Sequence, residues 1–366
     1  MKSYCKGLVM DRDHIAKAYE IWSKAESGRK NAWRVPKEHG SVDALIDELA
    51  EEIEGRCLRL RPIRHHLHIE PTNGKERDLG IESVKQQVLE YSVLLALWPM
   101  FDAKRGYWQV AGVKGKGQKA CKRGLRRWVN ETRYHNKSDV YHCYYEVSHK
   151  AINALIEKYV RSTDVLYCHS VIMRSFDPEG TGKGILIGSR YSLELMNFVL
   201  SFGYHYVESL HKVRRGKRIP LVKHQIWHMD DVLLLGNDKR DLKRAMRLLD
   251  TYLQENFGLR LKAWKVSRTG DIEPLDMGGF VVRRERCTLR AHLFNSAKRA
   301  FARIRKRRTL RLAQRACSYW GWLRNADCDG FISDNKINLL FRIARKLVSR
   351  AGKARHQCIE TKALPS

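Results

Sequence analysis

The residues best suited to chemistry in this sequence are three aspartates. Asp230 and Asp231 are adjacent in His228-Met229-Asp230-Asp231, between apolar runs that predict a strand, a tight turn and a second strand over residues 225–236. Two carboxylates at a hairpin tip cannot both face an apolar core, because an unpaired buried charge is costly. A divalent cation, which prefers oxygen ligands, is one partner for them. A solvated turn is the alternative, since adjacent aspartates occur in many loops.

The third carboxylate comes earlier in the chain. Asp139 begins the run Asp139-Val140-Tyr141-His142-Cys143-Tyr144, and residues 138–143 are predicted to form a buried strand with this aspartate at its start. Three carboxylates on two neighbouring strands are what two-metal phosphoryl transfer requires, with two cations ~4 Å apart. The small-residue turn Gly188-Ser189-Arg190-Tyr191-Ser192 opens a predicted helix, where the backbone could approach a nucleotide closely.

Composition narrows the class of partner. The 366 residues include 70 Lys and Arg against 40 Asp and Glu, so the formal net charge is +30. Such a charge favours a polyanion. Nucleic acid is favoured over a membrane surface, because the basic residues alternate with Trp and Tyr instead of flanking one apolar helix face. The 43% hydrophobic content excludes global disorder.

Targeting signals and cysteine usage indicate the compartment. No apolar run approaches the ~20 residues that cross a bilayer, and the first residues lack the apolar segment of a signal peptide. The nine cysteines have no C-x-x-C spacing, which predicts reduced thiols and gives no support to a zinc site. We therefore expect a soluble, cytoplasmic protein.

The elements that must position the aspartates follow from periodicity and turn residues. Ser41 is predicted to cap a helix over 42–54, and residues 60–81 a hairpin with its turn at Pro71–Gly74. Further helices are predicted at 82–100, which Pro99 would close, and at 119–129, 150–160, 191 onwards and 241–256. Two short strands are predicted at 259–266 and 277–284, and mainly helices beyond 287.

Two segments carry many cations and no acid. Residues 103–128 hold nine Lys or Arg around a glycine-rich loop, and residues 298–311 hold eight in fourteen positions. A solvated face usually mixes signs, so both segments predict contacts with phosphates. The glycines at 115 and 117 also fit a G-x-G-x-x-A dinucleotide pattern, but the loop lacks a clear opening strand and this function would leave Asp230 and Asp231 unexplained.

In this order and spacing, the elements resemble the fingers and palm of reverse transcriptases. Asp139, with Tyr144 five residues later, resembles the first catalytic-aspartate motif and its sugar-discriminating aromatic residue. Leu186–Ser192 resembles the Gln-Gly-x-x-x-Ser motif, and His228–Asp231 the Tyr-x-Asp-Asp motif. Pro71–Gln87 resembles the fingers segment that meets the incoming triphosphate. "MGGFVV" resembles the primer grip, and the resemblance covers roughly residues 55–350.

The resemblance implies a fold and an activity. The fold would be an α+β right-hand polymerase, with N-terminal helices and fingers at 1–135, a palm at 136–288 and a helical, basic thumb with a short tail at 289–366. A fingers insertion would occupy about 162–190 of the palm. The activity would be RNA-directed DNA synthesis, in which a primer is extended from dNTPs by two-metal phosphoryl transfer.

The resemblance also implies a role for individual residues. Asp139, Asp230 and Asp231 would be catalytic and would bind two Mg²⁺ (or Mn²⁺) with Val140, while Lys265, or Lys262 in its place, would be the general acid. The implied dNTP-binding residues are Lys75, Arg77, Tyr144 and Gly188. The implied nucleic-acid-binding residues are Lys114, Lys116, Lys119, Arg190, Gly278, Arg303, Arg305, Arg307 and Arg308.

Two positions depart from the family pattern. His228 replaces the usual Tyr, and Ile187 replaces the usual Gln, as in the error-prone enzymes of diversity-generating retroelements. Leu193, however, stands where those enzymes carry Gln. The sequence is therefore similar to a prokaryotic group that also includes retron and phage-defence reverse transcriptases, and the compact length favours defence.

The partners expected from the resemblance are an RNA template, a DNA or RNA primer and dNTPs, without a membrane. A locus-encoded non-coding RNA is the expected template, and a small accessory protein or a second copy of the chain is a further candidate partner. Mutagenic retrohoming stays an alternative role. A catalytically inactive RNA-binding protein on a polymerase scaffold stays an alternative of another class.

Overall fold

The computed structural model of the chain describes residues 2–69, 74 and 76–362. The α-helices in these residues are α1 (Arg12–Lys24), α2 (Glu26–Asn31), α3 (Val35–His39), α4 (Val42–Glu54), α5 (Val84–Lys104), α6 (Gly117–Glu131), α7 (Cys143–Glu146), α8 (His149–Tyr159), α9 (Thr163–Phe176), α10 (Arg190–Ser209), α11 (Lys239–Phe257), α12 (Ala291–Lys306), α13 (Leu310–Leu323), α14 (Asp329–Asp334) and α15 (Ile337–Lys362). The strands are β1 (Arg64–Ile69), β2 (Glu76–Ile81), β3 (Tyr134–Asp139), β4 (His211–Arg214), β5 (Lys217–Pro220), β6 (His224–His228), β7 (Asp231–Gly236), β8 (Val266–Arg268), β9 (Leu275–Met277), β10 (Phe280–Val282) and β11 (Cys287–Leu289).

Helices and small sheets mix along the chain, as the predicted α+β class requires. Among the described residues the sheets have the strand orders β1-β2, β4-β5, β6-β7-β3-β8 and β11-β10-β9. The right-hand layout of fingers, palm and thumb stays a prediction. None of the described helices combines the length and the apolar character needed to cross a membrane.

The chain divides into two compact units. The first consists of Met1–Gly115 and Asn136–Val266, and the second of Lys116–His135 and Ser267–Ser366. The predicted three-part division, with boundaries at 135 and 288, stays a prediction.

The core of the first unit is built around long buried helices. Helix α5 is buried around nearly its whole circumference, and α10 packs against it through the Phe101–Phe198 ring contact at 5.0 Å. Helices α10 and α11 meet where a Cβ on Gly203 would lie 3.1 Å from the ring of Trp227 and 3.2 Å from Leu253. This close approach requires glycine, and it seats β6 on the two helices.

The predicted hairpin around Asp230 and Asp231 is confirmed. Strands β6 and β7 are antiparallel, and their last pair before the turn is His228 with Asp231. Met229 has φ of 56°, a conformation that costs a side-chain-bearing residue of order 1–3 kcal/mol. The two-residue turn therefore carries local strain at the tip where the aspartates lie.

The predicted strand at 138–143 is wrong in its position. Strand β3 runs from Tyr134 to Asp139, so Asp139 ends the strand instead of beginning it, and the chain turns at His142 (φ 40°) into α7. The strand can be polar because hydrogen bonds from its buried side chains, and not apolar packing, hold it in place. Asn136 donates to the carbonyl of Lys265 at 3.0 Å and Ser138 to that of Lys262 at 2.9 Å.

Two other element boundaries differ from the prediction. Pro99 does not close α5, which continues to Lys104 because Met100 and Phe101 are buried and hold the last turn in place. Residues 277–284 form no single strand. Instead, Gly278 and Gly279, with φ of 59° and 86°, make the turn between β9 and β10, as two-residue hairpins with positive φ at both positions do.

Several predicted elements are confirmed. Ser41 caps α4, its Oγ accepting from the N–H of Ala44 at 2.9 Å. Strands β1 and β2 form the predicted hairpin, whose Pro71–Asn73 turn lies outside the described residues. Of the predicted strand at 259–266, only the last residue falls in a strand, β8. Helix α9 and the β4–β5 hairpin were not predicted.

The second unit combines a small sheet with helices. Strands β9, β10 and β11 are antiparallel neighbours, and Phe280 of β10 contacts Trp322 of α13 with ring centroids 5.6 Å apart. Trp320 stacks on Phe341 of α15 at 4.8 Å. The tryptophans around Gly321 therefore pack within this unit.

Candidate active site

Backbone hydrogen bonds bring the three aspartates to one end of the sheet. Strands β3 and β7 are neighbours, and the N–H of Val140 donates to the carbonyl of Asp230 at 2.8 Å. On the other side, the N–H of Lys262 donates to the carbonyl of Asp139 at 2.9 Å. The backbone therefore fixes Asp139 between the aspartate turn and the segment that carries Lys262, as the predicted neighbouring strands require.

The side chains of Asp139 and Asp231 share a hydrogen bond. Burial opposes ionisation of Asp139, but the hydrogen bonds from Asp231 and from Lys262, whose Nζ lies 2.8 Å from Oδ2, outweigh it and lower the pKa of Asp139 to about 2. Burial and then the bond to Asp139 raise the pKa of Asp231 to about 7. The negative charge of Asp139 thus favours a proton on Asp231, whereas Lys137, whose Nζ lies 3.5 Å from Oδ1 of Asp231, opposes it.

Asp230 lies at the turn and faces a cavity. Desolvation, and then the charge of Asp139, raises its pKa, while Lys262 and Arg77 act in the opposite direction. The cavity has a volume of about 930 Å³, and Arg77, Tyr144 and Gly188 line it together with Asp230. Four residues that were singled out in separate sequence motifs therefore surround one space.

The glycine of the Gly188 motif is required by close packing. Gly188 has φ of 115°, and a Cβ there would lie 3.1 Å from the carbonyl oxygen of Gly80 on β2. The N–H of Gly80 donates to the carbonyl of Ile187 at 2.9 Å, and a Cβ on Gly80 would lie 2.0 Å from Leu186. The loop before α10 is thus held against β2, which brings Arg77 and Gly188 to the same cavity.

A buried acidic group beside this loop was missed from the sequence. Ser189 caps α10 and donates to Glu90 of α5 at 2.7 Å, and Glu82 lies close to both. Burial, and then the charge of Glu82, raises the pKa of Glu90 well above its ordinary value. The available signal in the sequence was an acid four residues after Gln86, a spacing that places both on one helix face. The Gln86 amide donates to Glu90 at 3.2 Å.

The two lysines predicted as candidates for the general acid, Lys265 and Lys262, differ in their surroundings. Lys262 forms the ion pair with Asp139 described above, whereas the side chain of Lys265 is exposed. Lys262 is therefore the candidate that the structure brings to the aspartates. Arg190 lines the cavity and forms an ion pair with the buried Glu194. Lys75 lies outside the described residues.

The remaining predicted nucleic-acid contacts do not line this cavity. Lys114 is exposed in the first unit. In the second unit Lys119 is exposed and Lys116 half-buried, and Gly278 forms the β9–β10 turn, where a Cβ would lie 3.0 Å from Sγ of Cys121. Four arginines that were predicted for the thumb are exposed at the end of α12 and just after it: Arg303, Arg305, Arg307 and Arg308.

The aspartates carry the oxygen donors that Mg²⁺ prefers, and the predicted two-ion site stays a prediction. Among the described residues, no three His, Cys, Asp or Glu side chains are gathered as a ready-made ligand set. The donor chemistry nevertheless suits a hard cation: backbone hydrogen bonds bring three aspartates to one end of the sheet, each of Asp230 and Asp231 has a raised pKa, and Asp139 contributes to both shifts. A divalent ion would relieve this mutual repulsion.

Comparison with known proteins gave distant structural neighbours only. No protein-family model matches the chain, and no curated protein sequence matches it. It is similar to apo telomerase from Candida tropicalis (13% identity, TM-score 0.47, 81% of this chain and 59% of that one) and to that telomerase truncated from its C-terminal domain (13%, 0.45, 63% and 56%). The chain thus spans less than two thirds of the length of either structure.

Proposed function

We propose that this chain is an RNA-directed DNA polymerase that extends a primer from dNTPs. The observation that carries the proposal is the convergence of Asp139 with the Asp230–Asp231 turn beside the cavity lined by Arg77, Tyr144 and Gly188. A solvated turn would not place its aspartates beside a third carboxylate on the neighbouring strand. The proposal also rests on the resemblance of these motifs to those of reverse transcriptases.

Two Mg²⁺ ions, or Mn²⁺, would be held by Asp139, Asp230, Asp231 and the backbone of Val140. When bound, they would supply activation of the primer 3′-oxygen and neutralisation of the leaving pyrophosphate. The protein's own groups position and screen charge, and no covalent intermediate is involved. Lys262, which is hydrogen-bonded to Asp139, is placed to donate a proton to the pyrophosphate.

The cavity residues would select the nucleotide. Arg77 would bind the triphosphate, since its charge already acts on Asp230 across the cavity. Tyr144 would lie against the sugar and exclude a 2′-hydroxyl by its bulk. Gly188, which cannot carry a side chain without contacting Gly80, would let the backbone approach the base or sugar.

We further propose that the template is a dedicated non-coding RNA and that the chain acts in phage defence. Ile187, which replaces the Gln of the Gln-Gly-x-x-x-Ser pattern, and Leu193, which follows that pattern, both line the cavity, where the template–nucleotide pair would be held. Leu193 replaces the Gln of the mutagenic retroelement enzymes, which disfavours mutagenic retrohoming.

The test is to purify the chain from its native locus, sequence the nucleic acid that accompanies it, and repeat this with Asp230→Ala/Asp231→Ala. A matched control is Asp13→Ala/Glu51→Ala, which removes two exposed carboxylates of α1 and α4 that form no ion pair with any residue the structure describes. Templated cDNA in the wild type and control, but not in the active-site variant, would establish the polymerase and identify its template.

The opposite result would replace the proposal by the alternative class. Bound RNA without cDNA in all three proteins, together with no dNTP incorporation on a primed RNA with Mg²⁺, would indicate an RNA-binding protein on a polymerase scaffold. A cDNA of a variable repeat, with frequent substitutions, would instead indicate mutagenic retrohoming.

A further inference from the structure

A second basic surface lies in the first unit, away from the cavity. Helix α11 exposes five cations on one side, at spacings of one, four, five and eight residues from the first. The hairpin β4–β5 adds four more exposed cations around its turn. We call these nine residues the α11 surface: Arg214, Arg215, Lys217, Arg218, Lys239, Arg240, Lys243, Arg244 and Arg247.

One ion pair joins the two parts of the α11 surface. Lys212 at the base of the hairpin lies 2.6 Å from Oδ2 of Asp241 in the first turn of α11. Asp238, the other nearby acid, caps α11 by accepting from the N–H groups of Arg240 and Asp241. In the part of the chain that the structure describes, none of the nine cations forms an ion pair. The local acids are thus occupied, and the cations remain available to an external anion.

The start of the α11 surface lies at the far end of the β6–β7 hairpin from the aspartates. The helix then runs back until Asp250 accepts from the N–H of Leu261 at 2.6 Å, but none of the nine cations lines the cavity. The pair His228–Asp231 closes one end of the β6–β7 hairpin and His224–Leu235 the other, about 13 Å away at ~3.3 Å per residue. Helix α10, which begins at the cavity and leads to β4, is about 30 Å long at 1.5 Å per residue. A molecule bound at the α11 surface therefore does not occupy the nucleotide cavity.

The composition of this surface identifies its partner. Most of the apolar face of α11 is buried, and its remaining bulky side chains, Leu248 and Tyr252, are half-buried, so the helix presents no apolar stripe to a bilayer. Val213 is the one large hydrophobic residue exposed on the described hairpin, which is too little for the core of a protein interface. No aromatic residue accompanies the cations to stack on bases. With a bilayer, a protein interface and base stacking disfavoured, the cations of the α11 surface fit a phosphate backbone that is bound without contacts to the bases.

We propose that the α11 surface binds the phosphate backbone of a nucleic acid duplex at a site separate from the polymerase cavity. Lys239 to Arg247 span about 12 Å, enough to face three or four phosphates of one strand at ~3.4 Å per charge. The proposal goes beyond the polymerase function, because binding here requires neither the aspartates nor a primer end.

The test measures binding of a closed RNA dumbbell of roughly 20 base pairs, longer than the ~16 that a double-stranded RNA-binding domain spans. A dumbbell has no 3′ end to enter the polymerase cavity. The full chain is compared with Lys243→Gln/Arg244→Gln/Arg247→Gln, since glutamine is a good helix former at exposed positions. The matched control is Lys6→Gln/Lys17→Gln/Lys150→Gln, which removes the same charge from scattered exposed positions.

We expect the surface variant to lose at least tenfold in affinity relative to the control. Its slope of log affinity against log salt should fall by about 0.9 for each phosphate contact removed, up to about 2.7 for three. Arg214→Gln/Lys217→Gln on the hairpin should lower the affinity in the same direction. A DNA dumbbell shows which kind of duplex is bound. If the surface variant loses equal affinity for the DNA and RNA dumbbells, the surface binds any duplex; if it loses affinity for the RNA dumbbell alone, the surface binds RNA. Both results support the proposal.

Equal affinities and equal salt slopes for the surface and control variants would refute it. So would loss of binding to anionic lipid vesicles with unchanged dumbbell affinity, which would assign the surface to a membrane. Primer extension on a short primed RNA keeps the two proposals distinct. If the wild type did not extend the primer, the proposed polymerase function would be contradicted, and the measurement of dumbbell binding would still test the α11 surface.

Discussion

The contact between β2 and the loop before α10 yields a sharp prediction. In Gly80→Ala the new methyl group would lie 2.0 Å from Cδ1 and 2.4 Å from Cγ of Leu186. Leu186 is 6% exposed, so it has little room to turn away. Either β2 or the loop must move, and the backbone bond from Gly80 to Ile187 ties the two together. We expect Gly188 to be displaced from its place beside Arg77.

The size of the effect follows from packing. Overpacking a tight contact costs about 1–3 kcal/mol, and we expect Gly80→Ala to lower the free energy of unfolding by that amount. Leu186→Ala alone should cost about 2–4 kcal/mol, because it leaves a cavity at a buried site. In the double variant the methyl group enters the space that Leu186 left. The loss should therefore fall short of the sum by at least about 1 kcal/mol.

Urea unfolding of the wild type, the two single variants and the double variant measures the coupling energy between Gly80 and Leu186. Primer extension by the same proteins measures the consequence for activity. Gly80→Ala should lower kcat/KM for the dNTP, and the double variant should recover part of that loss. Gly321→Ala is the control. A Cβ there meets nothing within 4 Å, and the helix gains about 0.5–1 kcal/mol from the better helix former. Losses that add within about 0.5 kcal/mol, or unchanged activity in Gly80→Ala, would refute the steric argument.

Three further predictions follow from single side chains. Lys262→Met should lower kcat at least tenfold while Lys265→Met has little effect, because Lys262 is hydrogen-bonded to Asp139 and the side chain of Lys265 is exposed; equal losses would contradict this assignment. Tyr144→Val should raise incorporation of ribonucleotides relative to dNTPs by at least tenfold in a competition assay, and an unchanged ratio would exclude its role at the sugar. Burial, and then the charge of His149, lowers the pKa of His169 to about 3. Below pH 6.5 this imidazole is therefore protonated in the unfolded chain but stays neutral in the native chain. The free energy of unfolding should fall by about 1.4 kcal/mol per pH unit between pH 6.5 and 3, and His169→Gln should remove that slope in urea titrations.

The sequence predicted the aspartate hairpin well because its signals are local. Apolar runs on both sides of Met229 gave the strands, and two acids between them fixed the turn. Asp139 was identified by its residue type, but its strand was misplaced. The positions before it are polar, and their burial depends on carbonyl partners more than a hundred residues away, which periodicity cannot reveal.

The cavity could not be predicted from the sequence alone. Arg77, Tyr144 and Gly188 were each predicted from a motif, but their common space depends on the backbone bond between Gly80 and Ile187. Similarly, spacing alone left Lys262 and Lys265 equivalent, because a segment without regular strand structure gives no face to choose between them. Contacts of this kind join distant parts of the chain and leave no periodic trace.

Strand β3 has a consequence for how this protein tolerates substitution. The side chains of Asn136 and Ser138 reach carbonyls of the segment that carries Lys262, and they fix the register that places Asp139 beside Asp230. A shift by one residue would turn Asp139 to the other face of the sheet. In a library in which every position is varied, these two residues should therefore be as intolerant as Asp139, Asp230 and Asp231, although the role we assign to them involves contact with neither nucleotide nor metal.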